Sequence, residues 1–179
     1  MKVLLHSCCG PCASACVPRL KSEGHEVTMF FANSNIDTKE EYDRRLEAAR
    51  KLAAAEGVKL VPLEYNHKEW LNKVAWGLEA EKEKGLRCIK CFRYNLAKTA
   101  EACTELGLDA FATSLTVSPH KVSQMVFDAS CDPRFMRVDF KKKGGFAISC
   151  RRTAELGLYR QGYCGCEFSK RRQDENPRH

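Results

Sequence analysis

The chain has 179 residues, of which 44% are hydrophobic, and a formal charge of +7 from 30 basic and 23 acidic side chains. That length suits one domain with its own core, and no apolar run reaches the roughly 18 residues that a membrane span requires. Eleven cysteines cannot all pair, because the number is odd. The opening Met1-Lys2-Val3-Leu4-Leu5-His6 lacks the longer apolar region and cleavage site of a signal peptide. The expectation is a cytoplasmic protein, where an excess of thiols points to metal ligation or redox catalysis and not to a disulfide framework.

In chain order, Val3 to Ser7 reads as a buried strand, followed by a helix from about Cys12 to Ser22. Val27 to Ala32 is a second apolar strand. Thr38 and Glu41 have the spacing of a capping box, and the apolar stripe Tyr42, Leu46, Ala49, Ala53 continues the helix to a stop at Gly57. Lys59 to Leu63 is a third strand, and a polar helical stretch covers roughly Lys68 to Lys84. A strong helix from about Lys90 to Leu106 carries Phe92, Leu96, Ala100 and Cys103 on one stripe. Ala110 to Leu115 is a fourth strand; a short helix follows Pro119, then a brief strand near Val138 to Phe140 and a final helix around Arg151 to Leu158. Such alternation predicts a parallel α/β sheet with helices on both faces: a single α/β domain over 1–169 carrying the metal site, then a basic polar tail over 170–179.

In an open parallel sheet, ligands bind where loops leave the carboxyl ends of the strands. The first such loop reads Ser7-Cys8-Cys9-Gly10-Pro11-Cys12. It has one glycine and three thiols, which suits a metal better than a phosphate. Cys88 and Cys91 form a Cys-x-x-Cys at a helix start, where the helix N-terminus, Arg87 and Lys90 favour thiolates. Together with Cys8 and Cys9 they offer four thiolates, which suit either a structural zinc or a [4Fe–4S] cluster. The additional thiol of Cys12 exceeds what one closed zinc site needs and tilts the reading to iron–sulfur.

Near the carboxyl end, Tyr159-Arg160-Gln161-Gly162-Tyr163-Cys164-Gly165-Cys166 places two cysteines around one glycine. They can form a strained, reducible disulfide that relays electrons, or serve as further ligands or free thiols. Cys16 and Cys103 read as core filler; Cys131 and Cys150 receive no role. Asp139 could give an oxygen ligand to a second, more oxophilic metal, or merely cap a turn. His6 reads as a satisfied buried histidine, and Ser118-Pro119-His120 as crevice lining without an assigned role. Tyr163, Phe168 and Arg160 could stack on nucleotides or simply pack. The basic runs Lys141–Lys143, Arg151–Arg152 and Lys170–Arg172 suit a polyanion such as RNA, or a solvated basic face.

Taken together, the motifs His6-Ser-Cys8-Cys9-Gly-Pro-Cys12, Arg87-Cys88-x-x-Cys91, Ser118-Pro119 and Tyr159-Arg160-Gln161-x-Tyr163-Cys164-Gly165-Cys166 resemble the epoxyqueuosine reductases that do not use cobalamin. The resemblance spans nearly the whole chain. It implies a Rossmann-like α/β fold related to nucleotide α-hydrolases and tRNA thiolation enzymes. It implies reduction of the epoxide of epoxyqueuosine in tRNA to the alkene of queuosine, the last step of that synthesis. By position, Cys8, Cys9, Cys88 and Cys91 would hold a [4Fe–4S] cluster, and Cys164 and Cys166 would be the redox-active pair. A second, mononuclear iron is also implied, with Cys12 and Asp139 as candidates for its site or for proton delivery. The partner would be the tRNA anticodon stem-loop, and the electron donor stays unidentified. One departure is Ser118-Pro119-His120-Lys121-Val122, where the resemblance leads one to expect an aromatic, a glutamine and an asparagine after the proline. Two rivals remain from the residues alone: a tRNA thiolation or desulfuration enzyme, though the glycine loop for ATP is missing, and a zinc-stabilised RNA-binding module.

Overall fold

The computed structural model describes residues 1–170. The rest of the expected basic tail, including Arg171 and Arg172, lies outside the described residues. Four strands, β1 (Lys2–His6), β2 (Glu26–Phe31), β3 (Lys59–Pro62) and β4 (Ala110–Thr113), form one sheet in the order β3-β2-β1-β4. All pairings are parallel, with Leu4 opposite Thr28 and Phe111, and Met29 opposite Leu60. The helices are α1 (Gly10–Ser22), α2 (Lys39–Glu56), α3 (His67–Trp70), α4 (Leu86–Glu105), α5 (Ser123–Phe127) and α6 (Gly145–Glu155). This is the expected α/β class.

Strand alternation sends side chains to two faces. Val3, Leu5, Met29 and Phe31 pack with Val17 and Leu20 of α1 and with Leu46 and Leu52 of α2. Leu4, Phe30 and Phe111 pack on the other face against Phe92, Leu96 and Cys103 of α4. Helix α6 lies against α1, where Ser149 Oγ donates to the Pro11 carbonyl over 2.7 Å. With both faces covered, the carboxyl ends of β1, β2 and β4 are left as the place where loops converge.

Several expected boundaries move. Helix α4 begins at Leu86 and not at Lys90, so Cys88 and Cys91 both lie in its opening turns. The polar stretch from Lys68 to Lys84 is not one helix. It is α3, continued by a wider turn over Leu71–Ala75, then a loop in which Gly77 and Lys84 adopt left-handed conformations. The loop is tied down from outside, because Arg87 Nη1 donates to the carbonyls of Leu78, Glu79 and Glu81. The strand expected at Val138 to Phe140 does not form. The edge of β4 is met earlier, by Met136 N–H donating to the Phe111 carbonyl and Phe111 N–H donating to that of Arg134. The last helix starts at Gly145, six residues before the expected Arg151, because Gly145 and Ser149 are buried and Ser149 is anchored on α1. At α2, Thr38 Oγ1 accepts from Glu41 N–H over 3.2 Å as expected. The Glu41 carboxylate does not complete the capping box; it pairs with Arg45 instead.

Gly10, the first residue of α1, faces the backbone of α2. A Cβ built there would stand 2.8 Å from both the carbonyl carbon and oxygen of Ala48. Neither atom can swing away, so Gly10→Ala forces the two helices apart. The expected cost is about 1–3 kcal/mol, in the range of overpacked cores. It is read as a lower urea midpoint at unchanged slope.

Candidate metal centre

The turn from β1 into α1 places three thiols together. Cys9 is the N-cap of α1, and its Sγ accepts from Cys12 N–H over 3.3 Å. Cys8 Sγ lies 3.9 Å from Cys9 Sγ and accepts from Ser114 Oγ over 3.3 Å, while Cys8 N–H donates to the same hydroxyl. The three sulfurs lie within 4.8 Å of one another, a compact set of possible metal ligands. Sulfur ligands at ~2.3 Å on a tetrahedral metal stand about 3.8 Å apart, close to the Cys8–Cys9 spacing.

These thiols cannot ionise independently. Cys9 is held well below the usual thiol range by hydrogen bonds from Cys12 and then Cys8, which outweigh its burial. The same bonds, to Cys8 and then Cys9, push Cys12 well up, with burial adding to the rise. Cys8 gains from its bond with Cys12, yet Cys9 and burial carry it to about 11. The three sulfurs thus favour the thiolate unequally, with Cys9 the most favoured. His6, beneath the turn, is fully buried between Thr113 Oγ1 at 2.9 Å and the Ala32 carbonyl at 3.2 Å. Burial pushes it below its ordinary value, which suits the satisfied core histidine expected from the sequence.

The second thiol group comes from α4. Cys88 Sγ accepts from Lys84 N–H over 3.3 Å, and Cys91 Sγ is approached by Asn95 Nδ2 at 3.8 Å. Burial pushes both thiols up; at Cys88 it outweighs the Lys84 N–H and the charge of Arg87, which favour the thiolate, and Arg87 is also bonded to the loop carbonyls and lies 4.5 Å over the Phe168 ring. Lys90 is exposed.

The third group is the loop of Cys164 and Cys166. All eleven cysteines are free thiols, so of the readings open for Cys164 and Cys166 the disulfide is not present. Cys164 is exposed and Cys166 buried, where burial pushes its thiol up. Arg45 holds this loop from below. It is only 2% exposed, and it donates to the carbonyls of Cys164 (3.0 Å) and Tyr163 (3.2 Å) and to Glu41 (2.7 Å). Glu41 also accepts from the Tyr159 hydroxyl. Tyr163 donates to Asp37 over 2.5 Å, and Asp37 N–H donates to the Gly165 carbonyl. Gly165 has φ +138°, and a Cβ there would stand 3.0 Å from Asn35 Nδ2, so the loop admits no other residue without a shift.

A cavity of about 680 Å³ opens at the carboxyl end of the sheet, with Cys8, Cys12, Cys91 and Cys164 in its wall. Cys88 and Cys166 line a smaller recess that shares Asn35, Cys91, Lys121 and Cys164 with it. Of the four cysteines implied as cluster ligands, Cys8 and Cys9 form a compact group with Cys12, Cys91 shares the cavity wall with Cys8, and Cys88 lines the adjoining recess with Cys91. Asp139 is absent from the cavity lining; its Oδ1 accepts from Lys141 N–H and its carbonyl from Arg19, so it caps a turn. Of the expected stacking residues, Arg160 and Tyr163 both line the cavity, Tyr163 with its hydroxyl tied to Asp37, while Phe168 is buried under Arg87. Cys16 and Cys103 are core, as expected.

Lys121 was not singled out by the sequence. Its Nζ donates to Cys164 Sγ over 3.2 Å and lies 5.9 Å over the Phe92 ring. Burial opposes its charge, but the sulfurs of Cys164 and then Cys8 more than compensate and raise it. Asn35, Asn95 and Phe146 also line the cavity. Only the fold gathers them, although the departure at Ser118–Val122 did mark the Lys121 loop as unusual.

Arg45 and Glu41 form a buried pair, so removing one partner strands the other. Arg45→Met is expected to cost about 3–5 kcal/mol in denaturant unfolding, and adding Glu41→Leu to it is expected to recover most of that loss.

Comparison with known proteins gives a consistent result. A sequence model described as Epoxyqueuosine reductase QueH matches residues 3–172. The epoxyqueuosine reductase QueH of Streptococcus pyogenes serotype M1 is 38% identical, over 96% of this chain and 71% of its own length. The protein of that name from Staphylococcus epidermidis is 34% identical, over 96% and 77%. That from Dehalococcoides mccartyi is 34% identical, over 94% and 92%.

Proposed function

This chain belongs to the epoxyqueuosine reductase QueH family, and we propose that it reduces the epoxide of epoxyqueuosine, within tRNA in the cytoplasm, at the thiol-lined cavity. The reaction removes one oxygen from a cyclopentane epoxide to leave an alkene. It consumes two electrons and two protons and releases water. The observation that carries this reading is that Cys8, Cys12, Cys91 and Cys164 open on one cavity of about 680 Å³, a volume ordinary for a small-molecule site.

The donor set suits a cluster. Cys8, Cys9, Cys88 and Cys91 would hold a [4Fe–4S] cluster, with Cys12 as a further sulfur beside it. Soft thiolates at a water-poor wall are the ligands such clusters take. When bound, the group supplies single-electron transfer to the epoxide carbon–oxygen bond. A second, mononuclear iron would find Cys12 as a ligand, whereas Asp139 would first have to leave its turn.

The rest of the chemistry falls to the chain's own side chains. Asn35, Asn95 and the backbone held by Arg45 give the cavity fixed polar groups that orient a base. Cys164 and Cys166, as a dithiol, hold two electrons and two protons. Oxidising them to a disulfide releases both, matching the demand of the reduction, and an external two-electron reductant restores the thiols. Lys121 holds the charge that builds on Cys164 as that exchange proceeds. Cys164 is exposed and lines the cavity, where it can meet the reductant, and the buried Cys166 lines the smaller recess beside it.

Protein purified without oxygen is expected to be brown, with a broad absorption near ~400 nm and about four iron and four sulfide per chain, as a cubane requires, and to turn over epoxyqueuosine-tRNA. A colourless protein with one zinc and no iron uptake on reconstitution would discard the redox reading. Lys121→Gln removes a charge-assisted contact worth about 1.5–3 kcal/mol. It is expected to lower kcat/KM about tenfold or more at unchanged iron content. Cys164→Ser is expected to keep the iron and lose multiple turnover.

A further inference from the structure

Helix α6 brings a partly exposed aromatic ring to the mouth of the cavity. Phe146, on its first turn, is 38% exposed and lines the cavity wall. The guanidinium of Arg160 lies over this ring, 5.3 Å from its centre. Arg160 Nη1 also donates to Cys150 Sγ, one turn further along α6, over 3.1 Å, so the guanidinium is pinned against the helix. Immediately before α6, Lys142 and Lys143 are exposed.

The charges on this rim are not neutralised. Arg151 and Arg152 of the same helix are paired with Glu155 and Glu56, but Lys142, Lys143 and Arg160 make no ion pair among the described residues. A flat apolar surface flanked by three free cations is complementary to a polyanion whose planar bases are accessible. A duplex hides its base faces. An acidic peptide would satisfy the cations but would have no use for the ring.

We propose that Phe146, Arg160, Lys142 and Lys143 form a platform for the single-stranded nucleotides that flank the modified base. A neighbouring base stacks on the Phe146–Arg160 surface, and the lysines take adjacent phosphates. This leaves the cavity beside the ring for the modified base itself. The inference rests on tRNA being the substrate, as proposed above.

The test is equilibrium binding of a fluorescein-labelled anticodon stem-loop carrying unmodified guanosine, followed by anisotropy across a salt series, so that no turnover is needed. Phe146→Ala is expected to weaken binding about tenfold, the loss of one base–aromatic stack, with an unchanged salt slope. Phe146→Trp is expected to retain affinity, which separates stacking from damage to α6. Lys142→Gln with Lys143→Gln is expected to lower the log–log salt slope by about 1.4, two single-strand phosphate contacts at about 0.7 each. Wild-type affinity in Phe146→Ala, an unchanged slope in the lysine variant, or equal binding of a fully paired duplex would overturn the platform while leaving the tRNA reading intact. Failure of the wild-type protein to bind the loop at all would overturn both.

Discussion

The cavity depends on one buried cation. Arg45 sits on α2, yet its guanidinium donates to the carbonyls of Tyr163 and Cys164, more than a hundred residues away in sequence. A guanidinium out of water is tolerated only when its charge and its donors are met. Glu41, one turn earlier on the same helix, meets the charge, and the Tyr159 hydroxyl occupies the rest of that carboxylate. Each partner is therefore placed by the needs of the others, and the result is a fixed wall carrying Cys164. Tyr163 and Asp37 close the same loop from the other side, and Gly165 accepts a conformation that a side chain would forbid.

Electrostatics then divides the thiols into two kinds. In the β1–α1 turn, neighbouring sulfurs and the N-cap geometry lower Cys9 and raise Cys8 and Cys12. On α4, burial outweighs the helix N-terminus, and Cys88 and Cys91 are pushed toward the neutral thiol. Metal binding at either group must displace protons, so it is coupled to pH. Cys164 differs again, since it is exposed and has an ammonium beside it. One wall thus carries a compact thiol group that could hold a metal and, apart from it, a solvent-facing thiol.

Much of the organisation is legible along the chain, and the misses have local causes. The strands and the three long helices follow from apolar periodicity and from Thr38 and Gly57 as cap and stop. The stretch from Lys68 to Lys84 has helical composition, but Arg87 claims the carbonyls of Leu78, Glu79 and Glu81 for itself, an interaction no local pattern announces. The segment at Val138 to Phe140 has strand composition, but residues 134–136 reach the β4 edge first. Arg87 looked like a thiolate partner because it adjoins Cys88 in sequence. Its charge does favour the Cys88 thiolate, but its guanidinium also binds the loop and lies over Phe168, and burial of Cys88 outweighs it.

The sequence by itself determined the alternating α/β class, the thiol loop after the first strand, the Cys-x-x-Cys at a helix start and the paired cysteines near the end. These are set by periodicity and by short spacings, which act within a turn or a strand. The tertiary structure alone decided which thiols share a wall, that Asp139 caps a turn away from the cavity, and that Lys121 and Phe146 line the site. Those outcomes depend on β1, β2 and β4 ending side by side and on α6 crossing α1. Such contacts are fixed by which buried charges and apolar faces find partners, and no spacing along the chain encodes them.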